Sequence, residues 1–175
     1  NPEQVYELAK ALIREENFDS AEKVYGELAS HNKQSARPLV GIARIWERRG
    51  DQEKALSFLA EAEKRNNQFV HLYSERGKIQ VKQGKWDEAI SSFQKAIAMS
   101  PLNAFRYKEA ADALFQVKKY DIAIDLLKKA LANELEFPDL YHYLSQANFA
   151  VKEYKAAAKY IKTALNKDPD NITYL

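Results

Sequence analysis

Apolar and polar positions follow one another along most of the chain with the three-and-four spacing of an amphipathic helix. In the stretch KWDEAISSFQKAIAMSP, Lys85 to Pro101, Ala89, Phe93 and Ala96 fall on one face, polar side chains occupy the other, and a proline closes the run. The pattern then returns. Thirty-four residues on, the chain reads KYDIAIDLLKKALANEL, and thirty-four further, EYKAAAKYIKTALNKDP. Set in rows of that length, Ala21, Ala55, Ala89, Ala123 and Ala157 share one column, and Leu28, Ala62, Ala96, Ala130 and Ala164 another. Between them runs a bulky column of Tyr25, Leu59, Phe93, Leu127 and Ile161, and earlier in each row a small one of Ala9, Ala43, Gly77, Ala111 and Ser145. A fixed period of this kind describes a whole repeat architecture.

Packing explains the columns. Small side chains on one face let two helix axes approach closely, and the bulky column fills the space between neighbouring pairs. Each row holds two helical segments joined by a short turn. In rows two and three that turn carries Gly50 and Gly84, where a left-handed residue ends a helix at little cost. Rows three and five close on Pro101 and Pro169, which suit a helix start and not a helix interior. The chain reads as all-α.

The period of 34 and these residue types resemble the tetratricopeptide repeat, whose pattern runs W-x2-L-G-x2-Y, then A-x3-F, then P. In row three Tyr73 stands in the first aromatic column and Gly77 in the glycine column, followed by Ala89, Phe93, Ala96 and Pro101. The repeats phase as 2–35, 36–69, 70–103, 104–137 and 138–171, a single array covering nearly the whole chain. Rows one and two depart from the pattern: Lys33 and Asn67 replace the usual proline, Leu28 the usual alanine, and Gln52 the aromatic held elsewhere by Phe18, Trp86, Tyr120 and Tyr154. The resemblance implies a right-handed α-solenoid, a superhelix of tandem helix-turn-helix units whose first helices line a concave face. Residues 172–175 are expected to begin a further helix, and the uncapped C-terminal end is a candidate for self-association.

Composition narrows the function. A charged fraction of 30% and a hydrophobic fraction of 46% suit a folded chain, and five Gly and five Pro in 175 residues are few enough for continuous helix. The net charge of +2 disfavours nucleic acid as a general partner, so any electrostatic function must come from local clustering. The absence of cysteine removes disulfides and thiolate chemistry. No apolar run reaches the ~20 residues of a membrane span, so no membrane insertion is expected. The chain starts at Asn1 without an initiator Met or a visible signal peptide. It is therefore expected to be a piece of a longer protein, cytoplasmic, with the periplasm as the alternative.

Candidate chemistry is sparse. His31, His71 and His142 show no close ligand spacing, and the five glycines never cluster into a phosphate loop. Carboxylate pairs such as Asp87–Glu88 lie at helix ends, where the dipole accounts for them. Neither a cofactor, nor a metal, nor an enzymatic activity is expected. The aromatic stripes Tyr73, Tyr107, Tyr141 and Trp86, Tyr120, Tyr154 read as core, and Trp46 as a packing residue.

By the same resemblance, the concave face is lined by the second, fifth, ninth, twelfth and thirteenth residues of each repeat, which share one stripe of a 3.6-residue helix. The first three rows place Lys10, Arg14, Arg37, Arg44, Arg48, Lys78 and Lys82 there, with Glu3 and Glu47 as acidic exceptions. The last two place Phe105, Lys108, Phe115, His142 and Phe149, with Asp112 and Asp139 among them. Converging like charges repel, and an acidic ligand would relieve them. Reversing Arg44 and Arg48 together is accordingly expected to weaken binding and spare the fold. The asparagines with which co-chaperone members of the family clamp a C-terminal carboxylate are missing: the ninth residues are Lys10, Arg44, Lys78, Asp112 and Gln146. The expected function is therefore a non-enzymatic scaffold holding an acidic or acidic-aromatic segment of a protein partner, for instance as the output segment of a bacterial receiver-domain signalling protein. The alternatives are a substrate-positioning array of a larger enzyme and an assembly factor of envelope or secretion machinery.

Overall fold

In the computed structural model, residues 2–136 and 139–171 are described. They form helices and turns, arranged in two compact units, Asn1–Met99 and Ser100–Leu175. The proposed start of a further helix at 172–175, with the self-association assigned to that end, lies outside the described residues.

The first unit holds three helical hairpins: α1 (Pro2–Arg14) with α2 (Phe18–His31), α3 (Arg37–Arg48) with α4 (Gln52–Arg65), and α5 (Val70–Lys82) with α6 (Trp86–Met99). Each helix packs on the next, and α3 also touches α5, so successive first helices lie side by side. The second unit holds two hairpins, α7 (Ala104–Gln116) with α8 (Tyr120–Ala132) and α9 (Leu140–Ala150) with α10 (Tyr154–Lys167), and there α7 also touches α9. Ten helices among the described residues are the two-per-repeat count that five rows require.

The sequence columns are the packing surfaces. Ala9, Ala43 and Ala111 are fully buried, as are Ala21, Ala55, Ala89 and Ala123. Tyr25, Leu59, Phe93 and Leu127 fill the spaces beside them. Side-chain size is matched locally. Where the bulky place holds Phe93, the small place holds Gly77, and a Cβ there would lie 2.6 Å from the Phe93 ring. Repeats two and four use Ala43 with Leu59 and Ala111 with Leu127 in the same two places. In the first repeat Tyr25 lies against Gly41 of the next, where a Cβ would come within 2.5 Å.

All five hairpin turns are three residues long (15–17, 49–51, 83–85, 117–119 and 151–153) and share one geometry. The middle residue is left-handed each time: Glu16 (φ 58°), Gly50 (φ 86°), Gly84 (φ 73°), Lys118 (φ 59°) and Lys152 (φ 66°). The following amide donates back to the carbonyl five residues earlier, as in Asn17 to Leu12 (2.9 Å) and Lys119 to Leu114 (2.9 Å), which closes the helix with a Schellman bond. The second helices α2 and α4 start on side-chain caps, with Asn17 accepting from the Ser20 amide at 3.4 Å and Asp51 from the Lys54 amide at 2.9 Å.

One core expectation fails at the end of the array. Tyr73 and Tyr107 are buried and Trp86 and Tyr120 partly so, but Tyr154 is 56% exposed. In repeat four the Phe115 ring meets both Tyr120 (5.2 Å) and Tyr143 of the next repeat (5.4 Å). Phe149 meets Tyr154 at 5.4 Å in the equivalent place, and among the described residues no following repeat covers the pair.

Candidate functional site

The candidate residues lie on the first helix of each hairpin, and the hairpin packing described above aligns those helices within each unit. In the first unit the basic side chains do not converge as bare charges, because carboxylates lie between them. Arg37 makes a bidentate pair with Glu3 (2.6 and 2.8 Å), its guanidinium resting over the Tyr6 ring at 3.8 Å. That hydrogen bond lowers the Glu3 pKa and raises that of Arg37. Lys82 pairs with Glu47, and Lys10 with Glu7 at 2.6 Å.

Glu75 is the centre of this network. It is buried, accepts from Arg44 Nε at 2.8 Å and Nη2 at 2.5 Å, and pairs with Lys78 at 2.8 Å. Burial alone would raise its pKa, but the two cations outweigh burial and lower it. The stripe rule missed Glu75 because it is the sixth residue of its repeat, one place off the groove set. A signal was present, since ninth and sixth residues of consecutive repeats are 31 apart, as Arg44 and Glu75 are. The premise of seven mutually repelling cations is corrected accordingly: five have acidic partners. Arg14 and Arg48 are exposed and have no ion pair among the described residues.

The second unit uses the same register with different chemistry. Tyr143 Oη lies 2.5 Å from both Lys108 Nζ and Asp112 Oδ1, and Lys108 also pairs with Asp112 at 3.4 Å. The Tyr143 contact raises the Lys108 pKa; burial, then Asp112, raises that of Tyr143. Phe115 is half-buried in the aromatic contact with Tyr120 and Tyr143. His142 is partly buried, which lowers its pKa against the opposing charge of Asp139. Phe105 and Phe149 are 52% and 65% exposed. They are large aromatic side chains of the first helices left open to solvent.

Other polar groupings are structural. Glu63 on α4 accepts from Arg76 (2.7 Å), Tyr73 Oη (3.0 Å) and Lys95 (3.1 Å), joining α4 to both helices of the next hairpin. Burial works against its ionisation, but Arg76, Lys95 and Tyr73 prevail and hold the carboxyl at about 2. Glu22 accepts from Trp46 Nε1 (3.1 Å) and Arg49 (2.7 Å). His31 ends α2 as an exposed residue with Nδ1 2.7 Å from the Glu27 carbonyl oxygen. Among the described residues no three His, Asp or Glu side chains gather to hold a metal ion. An open depression at the α3–α4 turn, lined by Arg49, Gly50, Asp51, Gln52, Glu53 and Gln83, contains none of the groove candidates.

The paired helices, the shared turn and the size-matched columns recur on one period, and comparison with known proteins gives that period a family. A model of a tetratricopeptide repeat-like domain matches residues 4–123, and a tetratricopeptide repeat model matches residues 108–172. The chain belongs to the tetratricopeptide-repeat family. No curated protein sequence matches it significantly. Among solved structures, MamA from Desulfovibrio magneticus RS-1 superposes with a TM-score of 0.69 at 17% identity, over 97% of this chain and 96% of its own. PilF of Pseudomonas aeruginosa gives 0.71 at 15% identity over 98% and 78%. YrrB, described as a TPR protein with an unusual peptide-binding site, gives 0.62 at 15% identity over 97% and 88%. At these identities the likeness is one of fold. A tetratricopeptide array of this kind is a scaffold for protein–protein interaction. Among its described residues no helix is long and apolar enough to cross a membrane.

Proposed function

We propose that each unit binds peptide or helical segments of a protein partner along the face of its first helices, apolar or aromatic ones at repeats four and five and acidic ones at repeats one to three. The observation that carries this reading is the exposure of Phe105 and Phe149 at groove positions, in a chain that buries Tyr73, Tyr107 and Phe93. Leaving such rings in water forgoes roughly 2 kcal/mol each, which a bound apolar side chain would recover. An acidic ligand residue meets least competition at Arg14 and Arg48, because the other groove cations of the first unit already hold carboxylates. The peptide-binding site described for YrrB, a protein of the same fold, supports a peptide as the class of ligand.

Selection of a phage-displayed random peptide library on the whole chain tests this. Enriched sequences should be of two kinds, one with aromatic or leucine residues and one with Asp or Glu. Phe149→Ser should lose the first and Arg48→Glu the second, while Lys128→Glu on α8 should retain both. Aromatic or leucine-bearing peptides that bind the Phe105→Ser/Phe149→Ser variant as they bind wild type, or acidic ones that bind Arg48→Glu as they bind wild type, would overturn the proposal.

A further inference from the structure

The joints between repeats follow a register that can be carried to the two ends of the array. Within the first unit, the second residue of α2, Asp19, pairs with Arg49 just after α3, and the second residue of α4, Glu53, accepts from Gln83 just after α5 at 2.9 Å. The same place is acidic in repeats three and four as well, with Asp87 and Asp121, but repeat five holds Lys155. The receiving place reads Arg49, Gln83, Val117 and Val151 in repeats two to five, but Glu15 in repeat one. Lys155 therefore reverses the charge its place carries in the other four repeats, Glu15 reverses Arg49 in a place otherwise neutral, and the two end charges complement each other. Lys155 and Glu15 are exposed and have no ion pair among the described residues.

A second pair of places agrees. At the α4–α5 joint Glu63 meets Arg76 at 2.7 Å. The corresponding residues at the ends are Leu165 on α10, half-buried, and Leu8 on α1, 54% exposed, an apolar pair as are Ala29 with Ile42 and Leu131 with Leu144 in the same places. Val5, at the place where Leu39, Tyr73 and Tyr107 are buried, is 37% exposed. On α10, Ile161 is half-buried, although Tyr25, Leu59, Phe93 and Leu127 in that place are buried.

We propose that α1 of a second copy of this chain seats on α9 and α10, reproducing the internal joint between two molecules, with Glu15 against Lys155 and Leu8 against Leu165. This surface adjoins the groove proposed above, since α1 and α9 contribute to both, but the residues tested below are not groove residues. The interface is heterologous, so it leaves one free face at each end and association continues past the dimer. The same register sets Glu3 opposite Asp139, a like-charged pair, so the association is weak and concentration-dependent.

Sedimentation velocity and light scattering of the 175-residue chain, followed from about 10 µM to about 1 mM, read this directly. The weight-average mass should rise steadily with concentration. Glu15→Lys or Lys155→Glu alone should weaken association by roughly threefold to tenfold, and the double exchange should restore it. All three variants alter exposed residues, and matching thermal unfolding curves establish that they fold. A monomer at every concentration would overturn the proposal and leave these faces to another segment or partner. Single reversals that associate like wild type would also overturn it. So would a double exchange that fails to recover, the result expected if two C-terminal faces pair with each other.

Discussion

Gly77 and Phe93 occupy one space: a Cβ on the glycine would lie 2.6 Å from the phenylalanine ring, and Phe93 is 1% exposed with nowhere to retreat. Gly77→Ala should therefore lower stability by about 1–2 kcal/mol, overpacking exceeding the gain in helix propensity. With Phe93→Leu in the background, the pair becomes the Ala and Leu that repeats two and four carry at these places. There the same Gly77→Ala change should raise stability. Urea unfolding of the four chains of this cycle measures the change of sign; equal effects in both backgrounds would mean that the ring and the glycine are not coupled.

The left-handed turn residues give a second test. Glu16, Lys118 and Lys152 hold φ values of 58°, 59° and 66°, a region that costs an L-residue about 1–2 kcal/mol. Replacing any of them with glycine should raise stability by about 0.5–1 kcal/mol, and Gly50→Ala should lower it by a similar amount. Thermal denaturation distinguishes this from the usual outcome, in which glycine loosens a turn by widening the unfolded ensemble.

These two cases show what was legible in the sequence. Packing columns are visible because burial restricts residue type: five alanines on one period, Ala21 to Ala157, admit few readings. The turn geometry was legible only at Gly50 and Gly84, since Glu16, Lys118 and Lys152 adopt the same conformation with no compositional sign of it. The candidate face was legible as a stripe of positions but not as a charge pattern. Glu75 lies one place off the stripe, and its pairing with Arg44 depends on how two repeats are packed. Tyr154 was misplaced for a related reason: how far a residue of its column is covered depends on the packing around it, which the column alone does not supply.

Glu63 predicts a pH dependence. Its folded pKa of about 2 lies below the ordinary 4.5, so the folded state binds its proton less readily than the unfolded state. The stabilisation is complete above the unfolded value and is lost as pH falls from about 4.5 toward about 2. Glu63→Gln should cost about 1 kcal/mol at neutral pH, solvent screening of this partly exposed carboxylate limiting the effect. The difference from wild type should shrink steadily below about pH 4. Urea unfolding across that range is the measurement, and a difference that stays constant with pH would assign Glu63 a packing role.

Arg44 and Arg48 look alike in sequence, yet the structure separates them. The expectation that reversing both spares the fold is corrected by Glu75, which is buried against Arg44. Arg44→Glu would set a second carboxylate beside a buried one, leaving only Lys78 to neutralise the pair, and should destabilise the chain by about 3 kcal/mol. Arg48 is exposed, so Arg48→Glu should change stability by no more than about 0.5 kcal/mol. Denaturant unfolding of the two single variants measures both effects. Only Arg48→Glu is then suitable for binding studies, because a loss of ligand in the Arg44 variant could come from unfolding. If Arg44→Glu proves as stable as wild type, Glu75 must have found another cation or taken up a proton. A Glu75→Gln change in the Arg44→Glu background separates these outcomes: it relieves a strained carboxylate pair and leaves an already protonated one unaffected.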